Sequence, residues 1–390
     1  MRTKFILTMA GLIILFGIVN YYIGLRLWQS IGVVVVPALL SYYWIIFSLL
    51  AGSYFIGRLG GIYFPGDFSD RMIWGGSYWL GLAFYLCLFW LAYDVVAIVS
   101  PLISFLPRGI SSYSIGTGVS ILAAAALVVA YGTRNACTPR IQRYDVIINK
   151  QMSECTQLHV VLISDLHLGL LVGRERLLRA VQIINELDPD LVLMPGDIID
   201  ENIGAFVENE MPEILRGIRS RLGIYGILGS HEYIYGHSEK ALACLKRAGI
   251  SILRDEYIKL ANDVYIVGRD DLFREQLVGT PRRELGTILQ DCNRQFPIIL
   301  MDHQPVALDE AALLGVDLQL SGHTHHGQIF PLNLLIQNFF EIDWGYLKKA
   351  SYQIIVSSGY GTWGPPIRVG TISEIVDIRI SFIHPDERDE

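Results

Sequence analysis

The sequence predicts two joined parts of different class: an all-α bundle of four transmembrane helices at 1–132 and an α/β domain at 155–390, with a linker and a first strand at 133–154. Three observations carry this reading. Hydrophobic residues make up 52% of the 390-residue chain and charged ones only 18%, with a mean hydropathy of +0.39, a balance seldom met in a purely soluble globular protein. Residues 1–132 carry six basic and three acidic side chains, net +3, which leaves 25 basic and 35 acidic groups, net -10, on the rest. Beyond Gly132, short β-branched runs alternate with amphipathic segments.

In the first part, charge-free runs extend from Phe5 to Leu25, Ile31 to Gly57, Met72 to Tyr93 and Gly109 to Tyr131. Each suffices for the roughly 20 residues that cross about 30 Å of hydrocarbon. A cleaved signal peptide accounts for the first run only, and it lacks a small-residue cleavage pattern, so four retained spans are expected. With four spans, Arg2, Lys4, Arg58, Arg71, Arg134, Arg140 and Arg143 fall on the side of the C-terminal domain, and only Arg26 and Arg108 on the other. The bias of Lys and Arg toward cytoplasmic loops then predicts a cytoplasmic domain. Asp94 lies where Ser100 and Pro101 suggest a span end, which reads as an interfacial carboxylate. The segment offers no histidine and no evident ionisable pair, so a transport pathway is not expected.

A net charge of -7 argues against sequence-independent binding of nucleic acid, which clustered Lys and Arg would capture. Five cysteines (Cys87, Cys137, Cys155, Cys244, Cys292) form no C-x-x-C pair and fit free thiols in a reducing compartment. No obligate protein partner is evident.

The α/β pattern begins with the strand-like run Leu158–Ser164 and continues through Leu191–Leu193, Tyr225–Leu228, Val264–Val267, Ile298–Met301, Leu318–Leu320, Tyr352–Val356 and Glu374–Ile380. Between them, Leu177, Leu178, Val181, Ile184 and Leu187 share a helical face, as do Met211, Ile214, Leu215, Ile218 and Leu222, and a third helix ends at Gly249.

Five strand ends carry polar clusters: Asp165-Leu166-His167; Gly196-Asp197-Ile198-Ile199-Asp200; Gly229-Ser230-His231-Glu232; Asp302-His303; and Gly322-His323-Thr324-His325-His326-Gly327. Strand ends of α/β sheets are where ligands bind. Imidazoles and carboxylates without thiolates suit first-row divalent ions, manganese first, with iron, zinc or cobalt as alternatives. The ligands outnumber the needs of one tetrahedral ion. Two ions about 3.5–4 Å apart, sharing a carboxylate, form the clamp used for in-line displacement at phosphorus.

In this order, D-x-H, G-D-x-x-D, G-S-H-E, a lone histidine and G-H-x-H resemble the calcineurin-like metallophosphoesterases over roughly residues 155–380. The resemblance implies a four-layer α-β-β-α sandwich. It gives Asp165, His167 and His325 to one metal, Asp197 to a bridge, and His303 and His323 to the second. It makes His231 the general acid that meets the phosphate, with Asp200 orienting it. The family has asparagine at Ser230, whose shorter hydroxyl is a poorer ligand for the second ion. His326 stands where relatives carry glycine, as a substrate contact or an exposed side chain.

The run Ser164 to Gly169, Gly327-Gln328-Ile329, and the late Gly359-Tyr360-Gly361 with Pro366-Ile367-Arg368 resemble the bacterial membrane-associated branch, which includes phospholipid phosphodiesterases and UDP-2,3-diacylglucosamine pyrophosphatases. This implies a bacterial inner-membrane enzyme whose partners are the lipid bilayer and a phospholipid or lipid-linked phosphate. Phe330 to Phe340 forms an apolar stretch that either meets the bilayer or packs on the protein itself; Arg174 and Arg176 either pair with a second phosphate or start a solvated helix. Glu232, Tyr233 and His237 are further candidates for the site lining. Two other functions remain open: an anchored phosphoesterase of soluble nucleotides or small esters, and a non-catalytic metal-dependent sensor of a phospho-ligand.

Overall fold

The computed structural model describes residues 2–32, 39–63, 66–102, 113–150, 156–236, 238–261 and 263–383. His237 and Cys155 lie outside the described residues. The chain divides into two compact units, Met1–Thr133 with Gly364–Pro366, and Arg134–Trp363 with Ile367–Glu390.

The first unit holds α1 (Arg2–Ile31), α2 (Leu40–Tyr63), α3 (Asp67–Val99) and most of α4 (Ile115–Ala136). Each is long and apolar enough to cross a membrane. Apolar side chains such as Ile13 and Ile46 stay about two-thirds exposed, at 66% and 67%, as suits a surface facing lipid. Gly76 lets α2 and α3 touch, because a Cβ there would stand 2.2 Å from the Tyr54 amide nitrogen.

One expectation is corrected here: the apolar half does contain an ionisable pair. Arg26 Nη2 reaches Asp94 Oδ2 at 2.7 Å, and the Tyr22 hydroxyl donates to the same oxygen at 2.6 Å. The pair lies within α1 and α3, which continue past Leu25 and Tyr93 beyond the charge-free runs.

The second unit contains two six-stranded sheets. Its strands are β1 (Arg140–Ile148), β2 (Gln157–Leu162), β3 (Leu191–Pro195), β4 (Ile224–Ile227), β5 (Ser251–Ile252), β6 (Glu256–Lys259), β7 (Tyr265–Gly268), β8 (Ile298–Met301), β9 (Leu318–Ser321), β10 (Gly345–Lys349), β11 (Tyr352–Val356) and β12 (Glu374–Phe382). One sheet runs β1-β12-β2-β3-β4-β5 and the other β10-β11-β9-β8-β7-β6. Within them β2-β3-β4-β5 and β11-β9-β8-β7 are parallel, while β12 is antiparallel to β2, and β10 and β6 are antiparallel edges.

Alternation along each strand explains the layering. In β2, Leu158, Val160 and Leu162 join Leu191, Leu193, Ile299, Met301, Leu318 and Leu320 in a core between the sheets. The intervening Val161 and the following Ile163 face a second core with Leu177, Ile184, Met211, Leu215 and Leu245. Those residues come from α5 (Arg174–Leu187), α7 (Met211–Leu215) and α9 (Ser238–Arg247), and α6 (Ile203–Glu208) lies between α5 and α7 in the chain. A third core joins Val267, Leu300 and Ile354 to Leu285, Ile288 and Leu308 beneath the second sheet. Strands buried on both faces read as continuous apolar runs, which is why β2, β3 and β8 were legible. The result is the four-layer α-β-β-α sandwich.

One local expectation fails, and three strands were not foreseen. The face from Met211 to Leu222 is not one helix: α7 ends at Leu215, and Ile218 is buried from an irregular segment closed by Gly217 and Gly223. The strands β5, β6 and β10 have no apolar pattern of their own and exist through their partners' hydrogen bonds.

Candidate metal centre

The C-terminal ends of β2, β3 and β4 in one sheet and of β8 and β9 in the other converge. β2 leads to Asp165 and His167, and β3 to Asp197 and Asp200. β4 leads to Ser230 and His231 at the start of α8 (Ser230–Ile234), β8 to His303, and β9 to His323 and His325. All nine predicted site residues meet there. Asp165, His167, Asp197, His323 and His325 have φ between 47° and 71°, the left-handed region that non-glycine residues avoid and that clusters at functional sites. Gly229 and Gly322 allow the approach: a Cβ on Gly229 would stand 2.3 Å from Asp197 Oδ1, and one on Gly322 2.1 Å from Asp165 Oδ2.

Two groups can each hold an ion, Asp165-His167-His325 and Asp197-His303-His323, and a third combination is His167-Asp200-His231. Nε2 of His167 lies 3.0 Å from Nε2 of His325, and His323 Nδ1 3.3 Å from His303 Nε2. Asp197 Oδ2 stands between the groups, 3.2 Å from His303 Nε2 and 3.9 Å from His167 Nε2. Asp165 is held by the backbone N–H of His323, which donates at 3.0 Å, and by the Ser164 hydroxyl at 2.5 Å. His303 Nδ1 donates to the Pro195 carbonyl at 2.8 Å, which turns Nε2 toward Asp197 and the site.

The charges match that demand. Burial and the neighbouring His303 push His323 down to about 3, and burial and His167 hold His325 well below the usual imidazole range, so both present lone pairs. Burial would raise Asp197, but His303 and His231 outweigh it and keep it ionised; burial would depress His303, yet Asp197 raises it well above the usual imidazole range, so a divalent ion at its Nε2 would take the place of the proton there. Imidazole nitrogens gathered within about 3 Å of one another beside buried carboxylates are a donor set that fits divalent ions.

Ser230 is buried, with Oγ 3.3 Å from Asp197 Oδ2 and 3.5 Å from Oδ1. His231 Nδ1 pairs with Asp200 Oδ1 at 2.9 Å and its ring stands 4.4 Å from that of His167. Burial would lower His231, but Asp197 and Asp200 raise it to about 9.

Other candidates have different partners. Arg174 opens α5 from the surface and pairs there with Glu210 at 3.2 Å, whereas Arg176 donates to the Ala136 and Tyr360 carbonyls and serves the scaffold. Tyr233 donates to Asp270. Glu232 accepts from the Ile199 and Gly229 amides, both at 2.8 Å, and ties two strand ends together; burial, then Asp197, raises it to about 7. His326 pairs with Asp343 at 2.7 Å and packs on Trp344. Arg368, noted in the sequence without a role, is fully buried and touches His325.

Residues 158–327 match the family model for calcineurin-like phosphoesterases. A metallophosphoesterase of Aquifex aeolicus is 30% identical over 66% of this chain and 97% of its own length. The chain belongs to the calcineurin-like phosphoesterases. A Campylobacter jejuni metallophosphoesterase is 29% identical over 94% of this chain and 96% of its own. A Danio rerio transmembrane protein with a metallophosphoesterase domain is 31% identical over 70% of this chain. The chain spans 64% of that relative's length and 58% of the Bos taurus counterpart's.

Proposed function

We propose that this calcineurin-like phosphoesterase is a membrane-anchored hydrolase of a phosphodiester or pyrophosphate bond in a lipid-linked substrate, working with two divalent ions. The observation that carries the reading is the pair of three-ligand groups, buried except for the half-buried His323, with Asp197 near both and the His231–Asp200 pair alongside. Asp165, His167 and His325 would hold one ion and His303 and His323 the other, with Asp197 within reach of both groups and Ser230 beside Asp197. Bound there, the ions supply Lewis acidity at the phosphoryl oxygens and lower the pKa of water, manganese being the first choice. Asp200 fixes the His231 ring through Nδ1, so that Nε2 carries the proton delivered to the leaving oxygen.

The lipid part rests on attachment to four apolar helices, which keep the domain at a bilayer. The reading includes residence in a bacterial inner membrane, the domain boundary near Gly132, and a cytoplasmic domain, the last from the bias of basic residues. Ser230 favours one second reading, a metal-dependent sensor without turnover. Hydrolysis of bis-(p-nitrophenyl) phosphate and of a diacyl pyrophosphate by detergent-purified chain, with manganese or chelator, tests both. Metal-dependent turnover lost in Asp197→Asn supports the enzyme; none, with two ions bound, supports the sensor. Preference for short-chain or nucleotide esters would remove the lipid substrate.

A further inference from the structure

The segment Ser358–Gly361 runs along the strand end that carries Asp165. Tyr360 N donates to Ser164 O at 2.9 Å, and Gly361 N to Asp165 O at 2.7 Å. The approach is close enough that a Cβ on Gly361 would stand 2.2 Å from the Leu166 carbonyl oxygen. Its carbonyls converge on one side chain. Arg368 Nη2 donates to Ser358 O at 2.7 Å, Gly359 O at 3.0 Å and Gly361 O at 2.7 Å, and Nε donates to Gly361 O at 3.1 Å.

Arg368 is 0% exposed, and no carboxylate among the described residues accepts a hydrogen bond from it. A buried guanidinium without an ion pair is costly to fold, and its planar fork is the feature a lysine cannot reproduce. Nη2 also lies 3.2 Å from Nδ1 of His325. The ring nitrogen and three backbone carbonyls thus share the two hydrogens of one guanidinium nitrogen. The Arg368 backbone is fixed in turn, its carbonyl accepting from Asn135 Nδ2 at 3.0 Å.

We infer that Arg368 is a positioning residue for the Asp165-His167-His325 group, setting the register between the strand end that carries Asp165 and the ring of His325. The inference rests on the two-ion reading above. Partners behind ligating histidines typically set metal affinity by about 10–100-fold. The same size of loss, confined to one ion, is expected here.

The test is manganese binding to the full-length, detergent-purified chain, followed by equilibrium titration and by electron paramagnetic resonance of the coupled ion pair. Wild type, Arg368→Lys and Arg368→Gln are compared, with His325→Ala as the reference for loss of the same ion. Expected are two ions in wild type and, in both variants, one ion about 10–100-fold weaker with the other unchanged. The coupled signal should then give way to a mononuclear one at limiting manganese, and excess manganese should restore kcat without moving KM. A role in folding alone would lower Tm but leave both affinities and the coupled signal at wild-type values, which overturns the inference. If Arg368→Gln does not fold, Arg368→Lys decides the question, since it keeps the charge and loses the fork. Equal weakening of both ions also overturns it, whereas wild type without bound manganese overturns the two-ion reading itself.

Discussion

Nε2 of His167 and Nε2 of His325 face each other at 3.0 Å although 158 positions separate them in the chain. Both rings are buried, and Asp165 Oδ1 lies 3.5 Å from the second. An ion held by these buried ligands would favour the folded chain, so binding and folding would be coupled.

Chelation should therefore lower thermal stability, and manganese should restore it. At free manganese 100-fold above Kd, one site contributes about 2.7 kcal/mol, which for a domain of this size raises Tm by roughly 5–11 °C. Thermal-shift measurement of wild type and His325→Ala checks this; equal midpoints with and without metal would refute it.

His231 is protonated at neutral pH, because Asp197 and Asp200 outweigh its burial and hold it near 9. As a proton donor it loses function as pH rises through that value, so kcat should fall on the alkaline side. Asp200→Asn removes one of the carboxylates that raise the pKa and should move the fall to lower pH. His231→Ala should cost about 10²–10⁴-fold in kcat and abolish the limb. A kcat–pH profile of the three proteins settles the assignment.

Ser230→Asn should strengthen the second ion. Its amide oxygen reaches beyond the hydroxyl that now lies 3.3 Å from Asp197 Oδ2. The manganese concentration for half-maximal turnover should drop by about 10-fold, as read from activity against free metal. An unchanged or higher requirement would show that serine is no handicap.

Phe339, Leu335 and Leu334 are 77%, 58% and 52% exposed, and the adjacent Phe340 ring lies 6.4 Å from that of His323. If the substrate is lipid-linked, this surface meets acyl chains, and Phe339→Asp with Leu335→Asp should slow turnover of a diacyl substrate several-fold. Hydrolysis of a soluble aryl phosphate should not change. Equal rates on both substrates would count against acyl contact.

Much of the architecture was legible because its signals are local. A stretch of about 20 apolar residues has few uses besides a membrane span, and β2, β3, β8 and β9 are buried on both faces, so their runs stand out. The convergence of the nine candidate residues was readable because each cluster directly follows β2, β3, β4, β8 or β9, and parallel strands deliver their C-terminal ends to one edge.

Other features depend on partners far away in the chain. The edge strands β5, β6 and β10 carry no periodicity, and the Met211–Leu222 periodicity was right about burial yet wrong about helix beyond Leu215. Asp94 looked solitary until Arg26 was brought to it, 68 positions away. His325 and His326 are neighbours of the same residue type, and only folding sends one toward Asp165 and the other to Asp343.

The sequence by itself thus determined which segments are apolar, which alternate, and which strand ends carry imidazoles and carboxylates, because hydropathy and spacing are properties of short windows. Tertiary structure decided which nitrogen faces which oxygen, that Asp197 lies between the two groups, and that Arg368 is buried against His325. Those relations arise where two sheets meet, and no window of sequence contains both sides of that meeting.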